Sequence, residues 1–177
     1  MMFLFLSICP AGEDTDQGDC LAWDAHPSVC PADPTTTTLG ERARDIGEKI
    51  VDSRKRRQGA CWDFVNVVYT CAGYPEKLRE IAWPPEKKCD QNGPYLKDMD
   101  IIQPGDWIMH NNLEYLQRKG IEHSAIFVCW INEKQMSAKT LDYRGENKCE
   151  AGHYSEHTLT QVWRIVRAKR CEEQAVK

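Results

Sequence analysis

The sequence lacks several features that would place it in other classes of protein. It has no run of 18 apolar residues, the length that a membrane-spanning helix needs. It has no excess of positive charge: the formal net charge is −4, whereas surfaces for nucleic acids or anionic membranes are usually basic. It also has no internal repeat and no low-complexity segment. We therefore expect one monomeric globular domain with no nucleic-acid partner and no transmembrane segment.

The sequence also has no CxxC pair, which argues against a zinc ribbon although nine cysteines are present. Scattered cysteines favour disulfides and hence an extracytoplasmic location, either periplasmic or secreted. An odd number leaves at least one thiol free. Candidate bridges are Cys71–Cys89 and Cys149–Cys171; the alternative is a reduced protein with several buried thiols. The nine are Cys9, Cys20, Cys30, Cys61, Cys71, Cys89, Cys129, Cys149 and Cys171.

The N-terminal part of the chain differs in character from the rest. Met1–Cys9 is apolar like part of an export signal but has no basic residues before it; a misplaced start site and a buried strand are the alternatives. Proline and glycine interrupt residues 10–38, which predicts irregular structure. We therefore divide the chain into an irregular N-terminal extension (1–38), one domain (39–170) and a C-terminal tail (171–177).

Two helices are predicted at the start of the domain. Thr38 is a candidate N-cap with Glu41 three residues later, a capping box, and apolar residues then follow with a helical period. A second amphipathic helix is predicted for Cys61–Ala72. Residues 74–100 are expected to form a long excursion with a short helix near Glu76–Ile81.

The second half of the chain predicts strands. Apolar segments are found at Trp107–Met109, Ser124–Ile131, Met136–Tyr143 and Thr160–Val166, with a turn at Asn132–Gln135. Helices followed by consecutive strands indicate an α+β domain in which N-terminal helices pack on an antiparallel sheet.

Cys61 is the candidate nucleophile. It stands at the start of a helix, where the helix dipole and the unpaired N–H groups of the first turn stabilise a thiolate. The same N–H groups can stabilise an oxyanion. His123 directly precedes a buried strand and is the candidate base for this thiol.

A base of this kind needs a polar partner on its other ring nitrogen. A hairpin centred near Asn132 would pair residues whose numbers sum to about 265, which places Asp142 opposite His123. A turn one residue later would place Asp142 opposite Ala125 instead. Thr140 and Ser137 are the other candidates for this third position.

Three motifs together resemble those of the NlpC/P60 and CHAP cysteine peptidases: GACWDFV at Gly59–Val65, QPGDWI at Gln103–Ile108 and HSAIFV at His123–Val128. They occur in the order found in that superfamily, although residues next to Cys61 differ from many members. The resemblance implies a papain-like core with Cys61, His123 and Asp142 as catalytic residues and no cofactor. It implies hydrolysis of amide bonds in cell-wall peptides of the peptidoglycan type through an acyl-enzyme.

Two other functions stay open: an enzyme of the same fold that acts as a hydrolase or acyltransferase on another acyl substrate, and a non-catalytic binding module. A metal site would be a further alternative, because His153 and His157 are four residues apart and Cys149 is near. Polar surroundings favour a loop there, so we expect no metal. We expect His110 at the surface and Cys129 buried. Five tryptophans are expected in the core or in cleft walls: Trp62, Trp83, Trp107, Trp130 and Trp163.

Overall fold

The α+β class is confirmed by the computed structural model. In the part of the chain that it describes, two α-helices precede a six-stranded antiparallel sheet and pack on it. None of the described helices has the length and apolar character needed to cross a bilayer. Most of the predicted N-terminal extension and the whole C-terminal tail lie outside the described residues. The described residues are 22–23, 38–84, 94–111, 122–144 and 148–169.

The first helix, α1 (Leu39–Asp52), begins where the capping pattern predicts. The Thr38 hydroxyl accepts a hydrogen bond from the Glu41 backbone N–H at 3.2 Å and donates to the Glu41 carboxylate at 2.7 Å. One face of α1 lies close to the sheet at Gly47, where an added Cβ would be 2.7 Å from Leu141 Cδ1. A larger residue at this position would therefore push the helix away from the sheet.

The second helix, α2 (Cys61–Cys71), begins at the predicted residue. The Asp63 carboxylate accepts a hydrogen bond from the Ala60 N–H at 2.8 Å and so caps the helix start. Gly59 precedes it with φ +153°, and a Cβ there would approach Trp23 Cδ1 to 2.9 Å. The chain thus enters α2 through a tightly packed segment, which fixes the position of its first residue.

The sheet contains all four predicted strands and two that were not predicted. Its order is β1-β6-β2-β3-β4-β5, so β2 to β5 form a meander and β6 returns between β1 and β2. The strands are β1 (Arg79–Trp83), β2 (Trp107–Asn111), β3 (Glu122–Asn132), β4 (Ser137–Asp142), β5 (His153–Thr158) and β6 (Val162–Ala168).

Two secondary-structure predictions are wrong. The helix expected near Glu76–Ile81 is a single 3₁₀ turn, Glu76–Leu78, and the chain then continues as β1, where pairing with β6 outweighs a weak local helical preference. The loop expected around His153 and His157 is β5, an edge strand paired to β4 along its whole length.

Of the two registers considered for the β3–β4 hairpin, the one with the later turn is found next to the site. Ile126 pairs with Leu141, so a continuation of this register sets Asp142 opposite Ala125, as that alternative predicts, rather than opposite His123. Two irregularities in this ladder, between Phe127 and Cys129 and between Trp130 and Asn132, change the register as the hairpin extends. Sequence alone does not show such bulges. Asp142 still shares a face with His123 as its diagonal neighbour.

The sheet is strongly curved. His110 on β2 and His157 on β5 are separated by two intervening strands, which in a flat sheet would set the backbones about 14 Å apart. Their ring centroids are only 5.0 Å apart. The convex face carries Ile126 and Leu141 and packs on the helices. The concave face encloses a second apolar cluster formed by Leu96, Met99, Ile102, Ile108, Phe127, Ala138, Leu159, Val162 and Ile165.

The Pro-Gly-Asp motif forms the turn that starts β2. The buried Asp106 carboxylate receives two hydrogen bonds from Arg167, at 2.7 and 2.6 Å, and one from the Gln103 N–H at 2.9 Å. Gly105 has φ +87°, and a Cβ there would lie 1.8 Å from the Gly40 carbonyl oxygen. In this structure the motif joins the sheet to α1 and has no contact with the candidate site.

Trp62 is 50% exposed and lines a surface cleft, so of the two positions expected for it the cleft wall is confirmed. The prediction that Cys129 is buried is wrong. Cys129 is exposed, because β3 leaves the core after Val128. Cys61 and Cys129 are free thiols, whereas Cys71 and Cys149 are disulfide-bonded. The partners predicted for the last two, Cys89 and Cys171, lie outside the described residues.

Candidate active site

The fold brings Cys61, His123 and Asp142 together from three elements. Cys61 is the first residue of α2, His123 is the second of β3 and Asp142 is the last of β4. His123 Nε2 donates to Asp142 Oδ2 at 2.8 Å. His123 also lies close enough to the Cys61 thiol to lower its pKa, through hydrogen bonding and positive charge. Because Nε2 is occupied by Asp142, Nδ1 is the ring nitrogen that remains for the sulfur.

The surroundings of Cys61 favour its thiolate. Burial alone raises the pKa of this thiol, but the hydrogen bond and positive charge of His123 oppose that effect. The backbone amides of Ser124 and Trp62 lower the pKa as well. Together these contacts lower the pKa of Cys61 below its ordinary value, as in other reactive cysteines close to a cationic histidine.

His123 is held in its charged form. Burial lowers the pKa of this imidazole, but hydrogen bonds to Asp142 and Cys61 outweigh burial and raise the pKa to about 9. A histidine with a raised pKa beside a cysteine with a lowered pKa favours a thiolate–imidazolium pair near neutral pH. In such a pair the nucleophile is already deprotonated and the proton needed by a leaving group is already on His123.

Asp142 is surrounded by hydrogen-bond donors. Its Oδ2 accepts from His123 at 2.8 Å and from His157 Nε2 at 2.6 Å. Its Oδ1 accepts from Ser155 at 2.9 Å and lies 3.0 Å from His153 Nε2. Burial alone would raise the pKa of Asp142, but the bonds from the three histidines hold it far below its usual range. The residue is therefore a carboxylate at any working pH.

The sequence analysis missed the contribution of β5 to this site. His153, Ser155 and His157 alternate along the strand and share one face, the face that meets Asp142. The prediction of a surface position for His110 is also wrong, because this residue is buried and its ring packs against those of His123 and His157. The signal that was available is the period of two in His153–His157, which indicates a strand rather than a helix or a loop.

Three of these residues resemble a set of metal ligands. The ligand atoms of His123, Asp142 and His157 all lie within 4.8 Å of one another. However, Asp142 Oδ2 is 2.8 and 2.6 Å from the two Nε2 atoms, the lengths of charge-assisted hydrogen bonds. Ligand atoms around a tetrahedral zinc ion are about 3.3 Å apart, since zinc–nitrogen bonds are about 2.0–2.1 Å long. The geometry therefore fits protonated nitrogens better than a shared ion.

The start of α2 also presents backbone N–H groups. The first hydrogen bond within the helix runs from the Phe64 N–H to the Ala60 carbonyl oxygen at 3.3 Å. The amides of Cys61 and Trp62 precede it, so the helix does not use them. Donors at this position can stabilise negative charge on an oxygen next to the thiol.

A surface cleft of about 470 Å³ begins one residue after the nucleophile. Its walls include Trp62 and Ile81, both partly exposed to solvent. Arg79 also lines the cleft, but its guanidinium donates inward, to the Tyr74 carbonyl oxygen at 2.7 Å and to Asn66 Oδ1 at 2.8 Å. The cleft combines apolar and aromatic surface with polar and acidic side chains. Its lining is completed by Asn66, Glu76, Glu80, Trp107 and Val166.

Comparison of the chain with protein-family models, with curated proteins and with solved structures gives no match. The resemblance to the NlpC/P60 and CHAP peptidases thus stays a prediction from three short motifs. The functional interpretation consequently depends on the geometry of Cys61, His123 and Asp142.

Proposed function

We propose that this protein is a cysteine amidase or endopeptidase with a papain-like core of the NlpC/P60 type. The observation that supports this most directly is the position of His123, which is hydrogen-bonded to the buried Asp142 carboxylate and close enough to Cys61 to lower the pKa of its thiol. Nucleophile, base and orienting group in that order are what amide hydrolysis by a thiol requires.

In the acylation step the Cys61 thiolate attacks the carbonyl carbon of an amide. The carbonyl oxygen gains negative charge and is stabilised by the amides at the start of α2. His123 transfers its Nδ1 proton to the amide nitrogen, the carbon–nitrogen bond breaks, and an amine leaves. The acyl group remains on the sulfur as a thioester.

In the deacylation step His123 is neutral and acts as a base. It takes a proton from a water molecule while the water oxygen attacks the thioester carbonyl carbon. The carbon–sulfur bond then breaks and releases a carboxylic acid. Thiolate and imidazolium are restored, and the Asp142 carboxylate stabilises the positive charge each time it forms.

The proposed substrates are cell-wall peptides of the peptidoglycan type, and the proposed location is extracytoplasmic. The substrate class comes from the motif resemblance. The cleft lined by Trp62 supports it only in general terms, since it has room for a substrate side chain and Trp62 follows Cys61 in the chain. The disulfide-bonded Cys71 and Cys149 support an oxidising compartment.

Thiol labelling tests the enzyme proposal. Cys129, the other free thiol among the described residues, is the internal reference, and Cys129→Ser is the matched control variant. With limiting iodoacetamide at pH 7, we expect Cys61 to react faster than Cys129 although Cys129 is more exposed. We expect His123→Ala to remove this difference. A Cys61 that reacts no faster than Cys129 would exclude the catalytic reading.

Digestion of purified muropeptides tests the substrate. We expect new amine and carboxyl ends in the products of the wild type and of Cys129→Ser, and none with Cys61→Ser. If Cys61 is hyper-reactive and the muropeptides stay intact, the site acts on another acyl substrate.

A further inference from the structure

The reaction proposed above gives no task to His157, although this residue is part of the site. His157 is 1% exposed, and its Nε2 lies 2.6 Å from Asp142 Oδ2, closer than His123. A carboxylate can only accept, so the nitrogen of His157 carries the hydrogen of this bond. Two imidazoles therefore donate to one carboxylate oxygen.

We propose that His157 is a positioning residue for the reaction. It donates to the same Asp142 oxygen that accepts the hydrogen bond of His123. In this way it fixes the orientation of the carboxylate, and it weakens the attraction of the carboxylate for the proton of His123. This inference assumes the catalytic role proposed for Cys61, His123 and Asp142.

The positioning role of His157 follows from which strand supplies the hydrogen-bond donors to Asp142. Asp142 is the last residue of β4, so its side chain lies where the backbone of that strand ends. All three further donors to its carboxylate come from β5: Ser155 and His153 at Oδ1, and His157 at Oδ2. Donors on both oxygens fix the plane of the carboxylate. The bond from His157 is the buried one that fixes the oxygen facing His123.

The loss of His157 should make His123 hold its proton more tightly whether His157 is neutral or charged. A neutral His157 donates a hydrogen bond that stabilises the Asp142 anion and so weakens its pull on the His123 proton. A charged His157, with its ring centroid 5.1 Å from that of His123, would repel the imidazolium directly. In both cases the loss of His157 makes His123 hold its proton more tightly. A base that holds its proton too tightly gives it slowly to the leaving amine.

The other groups around His123 do not replace this effect. His110 faces it from β2, but burial keeps the pKa of that imidazole well below the usual range, so it stays neutral. Arg144 Nε lies 3.8 Å from Asp142 Oδ2, beyond hydrogen-bond range. The charged and titratable groups that face His123 and its carboxylate come from α2, β2, the end of β4 and β5: Cys61, His110, Asp142, Arg144, His153 and His157.

The test compares variants at position 157 by NMR titration of the His123 side chain, which needs no substrate. His157→Leu and His157→Asn both remove the donor: leucine has none, and the asparagine amide is too short to reach Asp142. His157→Gln keeps an N–H at nearly the original place. We expect the pKa of His123 to rise by at least half a unit in the first two variants and to return to the wild-type value in the third.

Kinetics with the muropeptide substrate give the second readout. In His157→Asn we expect kcat to fall about tenfold while KM stays within twofold of the wild-type value. The alkaline limit of the pH profile should move upward in this variant. His157→Gln should recover most of the rate. The control is His153→Leu, which removes a half-exposed donor from the other carboxylate oxygen and should shift the His123 titration less.

The proposal is overturned if the His123 titration is the same in the wild type and in whichever donor-less variants fold, or if His157→Gln behaves like His157→Asn. These results do not depend on the proposed function. An unreactive Cys61 in the wild type would overturn the catalytic assignment, and the NMR titration would still show whether His157 controls the proton affinity of His123.

Discussion

Replacement of Asp142 with asparagine removes the negative charge of the candidate site and keeps the size of the side chain. The pKa of His123 is about 9, so roughly 99% of molecules carry the imidazolium at pH 7. Burial is the largest influence on His123 and lowers its pKa, so without the carboxylate we expect a value at or below the ordinary 6.5. At most about a quarter of molecules would then be charged at pH 7, a loss of about 3 kcal/mol in the stability of the imidazolium.

The consequence is measured at the thiol. Cys61 is also buried, and its pKa is lowered chiefly by the hydrogen bond and charge of His123. When His123 becomes neutral, burial is the main remaining influence on Cys61 and raises its pKa, so a smaller fraction of the thiol is ionised at pH 7. We therefore expect Asp142→Asn to slow the alkylation of Cys61 at pH 7 at least tenfold.

The assay is alkylation by iodoacetamide from pH 5 to 9, followed by mass spectrometry of the Cys61 peptide. Asp100→Asn is the control, because Asp100 is exposed and remote from the site. Circular dichroism must first show that Asp142→Asn is folded, since an amide offers one accepting oxygen where the carboxylate offers two. A folded variant whose Cys61 reacts at the wild-type rate would refute the argument that Asp142 acts on the thiol through His123.

Two further predictions concern stability. Gly105→Ala should lower the free energy of unfolding by more than 3 kcal/mol, because its Cβ would overlap the Gly40 carbonyl oxygen, whereas Gly73→Ala, with the same φ of +87° and open space, should cost about 1–2 kcal/mol in denaturant titrations. In Cys61→Ser, Asp142 still raises the pKa of His123, so the fold should be stabilised fully below about pH 6.5 and progressively less as pH rises above that value, and Tm should fall accordingly. The double variant Cys61→Ser/His123→Gln should lack that slope, and an equal slope in both would contradict the assignment.

The parts of the fold that were predictable are those with local signals. Thr38 and Glu41 mark the start of α1, and the start of α2 at Cys61 follows from a glycine-containing break and a helical apolar period. The pairing of β3 and β4 was predicted from two apolar segments and a turn. In each case the residues that decide the structure lie within a few positions of one another.

The parts that were not predictable depend on contacts between distant segments. The bulges in the β3–β4 ladder change its register by two residues between the turn and the site, which sets Asp142 diagonal to His123, and no local pattern marks them. β5 is a short polar strand that is stabilised by pairing with β4, so its period of two is not accompanied by the apolar residues that usually identify a strand. His157 reaches Asp142 only because the sheet curves, which is a property of the whole sheet and not of any segment.

The curvature also explains how a helix on one face of the sheet meets a histidine on the other. Ile126 faces the helices, and His123, three residues earlier on a regular stretch of β3, therefore faces the concave side. Cys61 and His123 can therefore meet only at the end of the strands, and His123 and Asp142 both lie at that end. There Cys61 remains partly exposed while His123 is 6% exposed and Asp142 is fully buried. Of these three residues, Cys61 is therefore the one that a substrate can reach from solvent.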